Sequence, residues 1–293
     1  PFYPRPDWNT MPEDDKKLEI RRMEIYAAMI AYADHCLGRV IEELKASGRY
    51  DNTIIIVMAD NGANPHPSDS YGPISGVTLN NSFENLGNAD SFISLGCHWA
   101  ESCNTPFTSA KTMHGAGGIT CPLIIKGLGG KQGSIDRESL VHVTDILPTL
   151  LDKTTIQRPD SYKGTELAPL YGKSLLPSLA SGKPARDANE AICFEMVGGR
   201  AIIKGDWKLF TLTEDDKDWQ LYNMRHDLAE QDNLATTEPA KFQELLQEWQ
   251  AYAKKVGYIK GDGKIRGTLH RLGPEEFYKY DPAKILTDSK DKQ

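Results

Sequence analysis

An α/β chain that closes with a small α+β unit is the fold class this sequence predicts, and three patterns carry that reading. From Lys16 to Ser47, Met23, Ala27, Ile30, Ala31, Asp34, Leu37, Gly38, Ile41 and Leu44 recur at three- and four-residue steps, the period of a helix. Residues 53–59, TIIIVMA, follow after a short turn as an apolar run of strand length. Beyond residue 188, AICFEMV, RAIIKG, WKLFTL and WQLYNM stand at hairpin-like spacing and lead into an amphipathic helix.

Each element has a local reason. The first fifteen residues are Pro-rich and polar and read as an extended lead-in. Gly48 is a helix stop, and Asp51-Asn52 turns the chain into the strand. That strand is apolar on both faces, as in the interior of a sheet covered by helices. Residues 63–106 are rich in Asn, Ser, Gly and Pro, and a loop of that length is functional or disordered. Tyr71, Phe83, Phe92 and Trp99 argue against simple disorder. Pro122–Lys126 reads as a second strand, and Thr144-Asp145 before ILPTLLD reads as a capped helix start with Pro148 in its first turn. Residues 152–188 form a long irregular connection. The helix over residues 239–257 aligns Phe242, Leu245, Leu246, Trp249 and Tyr252 on one stripe. The polar tail after Lys260 is expected to wrap the surface. The expected division is 1–187 for the larger α/β portion and 188–293 for the small unit and tail.

Bulk properties exclude some functions. A chain of 293 residues holds one large domain or two ordinary ones. Its formal net charge of −7 gives no support for nucleic-acid binding. No apolar run approaches the roughly 18–20 residues of a membrane helix, so no membrane partner is expected. The cysteines, Cys36, Cys97, Cys103, Cys121 and Cys193, are odd in number and lack zinc-type spacing, although Cys97 and Cys103 could pair. The opening PFYPRPDW has no signal-peptide pattern.

Two stretches carry chemistry. In TIIIVMADNG, residues 53–62, Asn61-Gly62 suggests a hairpin turn. The following ANPHPSDSYG cannot serve as a partner strand, so the chain leaves the sheet at Asp60. Ligands of open α/β sheets bind beyond the carboxyl ends of strands. There Asp60 and Asn61 offer a carboxylate and an amide oxygen, donors suited to a hard cation such as Ca²⁺. In NTPFTSAKTMHGAGGITCPLII, residues 104–125, Lys111 sits among small polar residues ahead of Gly117-Gly118. Most lysines are solvated surface charges, but this placement suits a cation meant for an anionic group.

The chain resembles the sulfatases of the alkaline phosphatase superfamily, most closely the bacterial arylsulfatases. The matching stretches are collinear over residues 16–257: IYAAMIAYADHCLGRVIEELKASGRYDNTIIIVMADNGA, FENLG, WAESCNTPFTSAK, GGITCPLII, HVTDILPTLLD, GGRAIIKGDWKLF and WQLYNMRHDLAEQDNLA. The resemblance implies an alkaline-phosphatase-like mixed sheet between helices, incomplete here, with a small C-terminal domain of four antiparallel strands and a helix. It implies that Asp60 and Asn61 are Ca²⁺ ligands. It also implies that Lys111 binds the sulfate group as a catalytic residue and that His114, one position from the family's histidine, contacts substrate. Thr108 stands where the family often has Arg, and Gly115-Ala116 where it often has a His-Glu pair.

Other family parts are absent from the sequence. There is no C/S-x-P-x-R motif for a formylglycine nucleophile, no Asp-Asp pair and no Lys-x-His element. Cys121 is followed directly by Pro122, the wrong register for that motif. The expectation is the C-terminal half of a sulfatase, inactive alone. The N-terminal part of the same enzyme would supply formylglycine and the remaining metal carboxylates. The substrate would be a small-molecule or carbohydrate sulfate ester. One alternative is a phosphodiesterase or phosphonate hydrolase of the same superfamily, where Asp-His-Gly is usual in place of Asp60-Asn61-Gly62. A structural fragment without catalysis is another. His66 and His98 either line a pocket or are ordinary loop residues, His142 is structural, and Glu195 and Arg200 lie at an active-site rim or on a surface hairpin.

Overall fold

The computed structural model describes residues 7–65, 78–196, 198–212 and 217–260. Helix α1, Glu13–Ala46, realises the first periodic stretch, with Glu13, Asp14 and Asp15 at the positive end of its dipole. It ends in a Schellman turn: Gly48 has φ 68°, its N–H donates to Lys45 O at 3.0 Å, and Arg49 N–H donates to Leu44 O at 2.9 Å. Its first turns face inward through buried Leu18 and Arg22, with Met23 and Tyr26 packed on a small core of Leu95, Ala100 and Ala110. Farther along, Met29, Ile30, Tyr32 and Val40 are exposed.

Strand β1, Ile55–Met58, is shorter than the apolar run that encodes it. It pairs antiparallel with β2, Leu123–Lys126, in the register Ile55↔Lys126 to Met58↔Leu123. The expectation of a strand buried on both faces is not met, since Met58 is exposed and Ile55, Ile56 and Val57 are only partly buried. The reason is topological. Among the described residues β1 and β2 make a two-stranded sheet by themselves, with no third strand beside them. The expected mixed sheet is thus represented only by an antiparallel pair.

The presumed loop over residues 63–106 contains helix α2, Gly96–Cys103, which the pattern of the sequence does not announce. Trp99 Nε1 donates to Glu19 O at 2.8 Å, and Arg22 Nη1 donates to Ser94 O at 2.6 Å, so α2 is fastened to α1. His98 of α2 faces Glu19 at 3.8 Å, which places it at this helix contact. His66, Tyr71 and the tail beyond Lys260 lie outside the described residues. A short helix α3, Ala116–Ile119, precedes β2. Cys103 is a free thiol, as are Cys36, Cys121 and Cys193, and the side chain of Cys97 lies outside what the structure describes.

Helix α4, Ile146–Thr154, follows a single 3-10 turn whose cap is His142 rather than Thr144 or Asp145. Thr144 N–H donates to His142 Nδ1, and the Asp145 carboxylate accepts from His142 N–H at 2.8 Å. His142 is therefore structural, and its burial pushes its pKa below the ordinary value. The irregular connection holds a small hairpin, β3 (Ser161–Tyr162) with β4 (Thr165–Glu166), and helix α5, Leu176–Ser181.

The last four strands form as expected: β5, Ala191–Met196; β6, Gly199–Lys204; β7, Trp207–Thr211; and β8, Gln220–Asn223. They run in sequence order, each antiparallel to the next. Helix α6, Pro239–Val256, lays Leu245 and Trp249 on Ile202, Leu209, Trp219 and Leu221. Arg200 is buried, with its guanidinium 4.9 Å from the Trp219 ring centre and 5.4 Å from that of Trp249. It belongs to this core, while its cross-strand partner Glu195 is exposed.

Candidate functional site

Asp60 and Asn61 stand just past β1, where the chain leaves the two-stranded sheet. Asp60 is exposed and Asn61 half-buried. Asn61 Nδ2 donates to Gly62 O at 2.8 Å, which leaves the side-chain oxygen as the atom available to a cation. Gly62 N–H donates to Gly118 O at 3.4 Å. A Cβ on Gly62 would collide with the Gly117 carbonyl, and one on Gly118 with the carbonyls of Met113 and Ala110. Glycine is required here because two backbones touch.

That contact joins the Asp60–Gly62 turn to the Lys111 loop. Lys111 N–H donates to Ala63 O at 3.0 Å. Asn104 works from both ends of its amide: Oδ1 accepts from Ala63 N–H at 3.3 Å, and Nδ2 donates to Ser109 O at 3.0 Å. Gly117 N–H closes the loop on Thr108 O at 2.7 Å. Ser109 and Thr112 have φ of 76° and 74°, left-handed values costly for a side chain with a Cβ, and most so for the branched threonine. Ala110, fully buried against Leu95 and Ala100, plugs the loop into the small core.

The structure thus holds all four sequence-predicted residues in one backbone frame, but with different access. Lys111 is partly exposed, and among the described residues its ammonium has no ion-pair partner. His114 is only 1% exposed, which gives it a place beneath the loop rather than a surface open to solute. Cys121 lies close enough to feel Asp60: burial, and then that carboxylate, pushes its thiol above the ordinary pKa. A thiol so shifted is a poor nucleophile.

One residue here has no local sequence signal. Glu230 enters from the turn after β8, and its Oε2 accepts from Thr108 Oγ1 and from Ala116 N–H, each at 2.8 Å. Its Oε1 meets Lys208 Nζ at 2.6 Å, with both side chains enclosed. Burial pulls the Lys208 pKa below its ordinary value, and Glu230 opposes that pull.

Fold and loop together define a class: an α/β chain whose strand-exit oxygen pair shares one frame with a lysine that has no ion-pair partner among the described residues. The chain belongs to the sulfatase family, whose model matches residues 2–156. It is 34% identical over 259 residues to an uncharacterized sulfatase of Schizosaccharomyces pombe, covering 86% of this chain and 47% of that protein. It is 35% identical over 173 residues to an arylsulfatase of Klebsiella aerogenes, covering 58% of this chain and 37% of that one. The chain therefore spans less than half the length of these curated relatives. Among solved structures, BT4656 in complex with its substrate D-glucosamine-2-N,6-O-disulfate matches with TM-score 0.52 and 21% identity over 78% of this chain and 40% of that one. Ps i-CgsB in complex with k-i-k-neocarrahexaose matches with TM-score 0.52 and 18% identity over 98% and 51% of the two chains. These two likenesses show the fold.

Proposed function

We propose that this chain is part of a sulfatase that hydrolyses sulfate esters to an alcohol or phenol and inorganic sulfate. The observation that carries the reading is the backbone frame that ties the Asp60–Gly62 turn to the Lys111 loop, in a chain of the sulfatase family. Residues 1–187 are read as the C-terminal portion of the catalytic α/β domain, and 188–293 as a small domain and tail.

In this reading Lys111 holds the sulfate oxygens and supports the charge that builds on them as the ester bond breaks. His114 supports the loop from beneath, because its enclosure argues against the direct substrate contact its motif position suggests. Asp60 and Asn61 fit a calcium ion as two hard oxygen donors, the amide nitrogen being already engaged on Gly62 O. Calcium takes roughly six to eight oxygens. Among the described residues no group of three or more His, Cys, Asp or Glu could hold a metal, so the other donors come from elsewhere in the enzyme. When bound, the ion supplies Lewis-acid neutralisation of the sulfate group. The formylglycine nucleophile is assigned to the N-terminal part of the same enzyme.

The substrate class is a small-molecule or carbohydrate sulfate ester, a reading supported by the arylsulfatase relative and by the sulfated sugar bound to a structural neighbour. The test uses the complete enzyme. Chromogenic aryl sulfate and sulfated sugar are expected to turn over, and phosphate diester much less, since Asn61 replaces the histidine usual in two-metal phosphatases. Asp60→Ala is expected to abolish both turnover and bound calcium. Stoichiometric calcium retained by that variant would overturn the ligand assignment.

A further inference from the structure

Lys111 and His114 lie on a segment with a neck. Its two ends, Thr108 and Ala116, are drawn together by the Gly117 N–H to Thr108 O bond and by one external atom, Glu230 Oε2, which accepts from both. Ser109 and Thr112, inside the neck, hold left-handed φ values, and strained backbone of this kind persists only where surroundings over-determine it. Glu230 is itself left-handed, at φ 51°, so the turn after β8 is bent to deliver this carboxylate. A carboxylate only accepts, and bonds to an ionised acceptor are the stronger kind. Lys208, on β7, engages the other oxygen and so fixes which way the carboxylate faces.

We propose that Glu230 is a positioning residue for the Lys111 loop: it bolts the loop's neck to the antiparallel sheet, with Lys208 as the buried cation that orients it. The catalytic consequence rests on the sulfatase reading, whereas the mechanical one does not. A simple structural ion pair would lower stability when removed. A positioning pair lowers kcat beyond any loss of stability, because small misplacements of a catalytic group cost rate steeply.

The experiment compares two double variants of the complete enzyme. Both carry Lys208→Met, so neither leaves a buried cation alone. Lys208→Met/Glu230→Gln keeps an acceptor oxygen for the neck, and Lys208→Met/Glu230→Ala removes it. The expected result is a kcat at least roughly tenfold lower in the Ala pair than in the Gln pair, with KM little changed and similar melting temperatures. Amide exchange at Ala116 and Gly117 is expected to accelerate only in the Ala pair. Equal kcat in the two pairs, or a loss tracking melting temperature alone, overturns the proposal. If the parent enzyme turns over no sulfate ester, the sulfatase reading fails by itself, and equal exchange at Ala116 then overturns the neck contact separately. Should the doubles not fold, Thr108→Val removes one donor without touching the sheet. It is expected to lower kcat several-fold, and an unchanged kcat overturns the proposal.

Discussion

Lys111 shows how one residue's place sets its chemistry. Its backbone is pinned to Ala63 while its ammonium stays without an ion-pair partner among the described residues. Under the sulfatase reading proposed above, a local cation would be what brings a sulfate ester close in a chain of net charge −7, since the bulk field repels it. Lys111→Ala in the complete enzyme is expected to lower kcat/KM by roughly 10²–10³, the loss typical of one oxyanion donor. Lys111→Arg is expected to restore only part, because a planar guanidinium meets a tetrahedral anion at other angles than a compact ammonium. Near-normal steady-state kinetics in Lys111→Ala would make it an ordinary loop lysine. Asp60, Asn61 and Lys111 stand out in the sequence as candidates because each breaks its surroundings: polar residues at the end of an apolar run, and a cation among small neutral residues. Glu230 does not, because its partner Ala116 lies 114 residues away and nothing beside it marks the contact.

Elements were legible where period and length agreed. Helices α1 and α6 and strands β5 to β8 follow directly from apolar spacing, and in α6 and β5 to β8 the same side chains also dictate which face turns inward. Helix α2 was not, since its sequence GCHWAESC has no apolar stripe and its place is set by Trp99 and by Arg22 of α1. The 3-10 turn before α4 was also missed, because its cap is a histidine, and the reason lies in Asp145. That carboxylate is fully buried and bidentate to Arg186, at 2.6 and 2.5 Å, with the N–H groups of His142 and Lys173 at 2.8 Å each. Burial pushes its pKa up, but Arg186 and the two N–H donors outweigh this and hold it below the ordinary 3.8. A carboxylate depressed in the folded state contributes stability above its unfolded pKa, and that contribution is lost as pH falls through the folded value. Denaturation of the complete enzyme is therefore expected to become easier below about pH 4. Asp145→Asn is expected to flatten that slope and, by leaving Arg186 buried and unpaired, to cost about 3–5 kcal/mol at neutral pH. A variant with the parent's acid profile would remove Asp145 from the account.

At the scale of the whole molecule, the sequence and the burial disagree in an informative way. The repeat from Met23 to Leu44 is the pattern of a helix with a covered face, and TIIIVMA is that of a strand covered on both. Yet Ile30 of the repeat is 55% exposed, Met58 at the end of the strand 40%, and Ile124 on the partner strand β2 65%. Neither edge of the β1–β2 pair is occupied by another strand among the described residues, and free edges beside apolar faces are sites of association. The small unit lacks this deficit, since Ile202, Leu209, Leu221 and Leu245 are fully buried in its own core. The 293-residue chain expressed alone is thus expected to behave unevenly. The sheet of β5 to β8 with α6 should keep protected amides, while α1 and the β1–β2 pair exchange quickly, bind hydrophobic dye and drive aggregation. In the longer enzyme of the proposed reading, the same amides should become protected and dye binding should fall. Hydrogen exchange read segment by segment, with light scattering on the same samples, checks this. A monodisperse monomer that unfolds in one cooperative step with no dye binding would mean that the exposed face of α1 and the open pair are stable as they stand, and that their apolar pattern needs no partner.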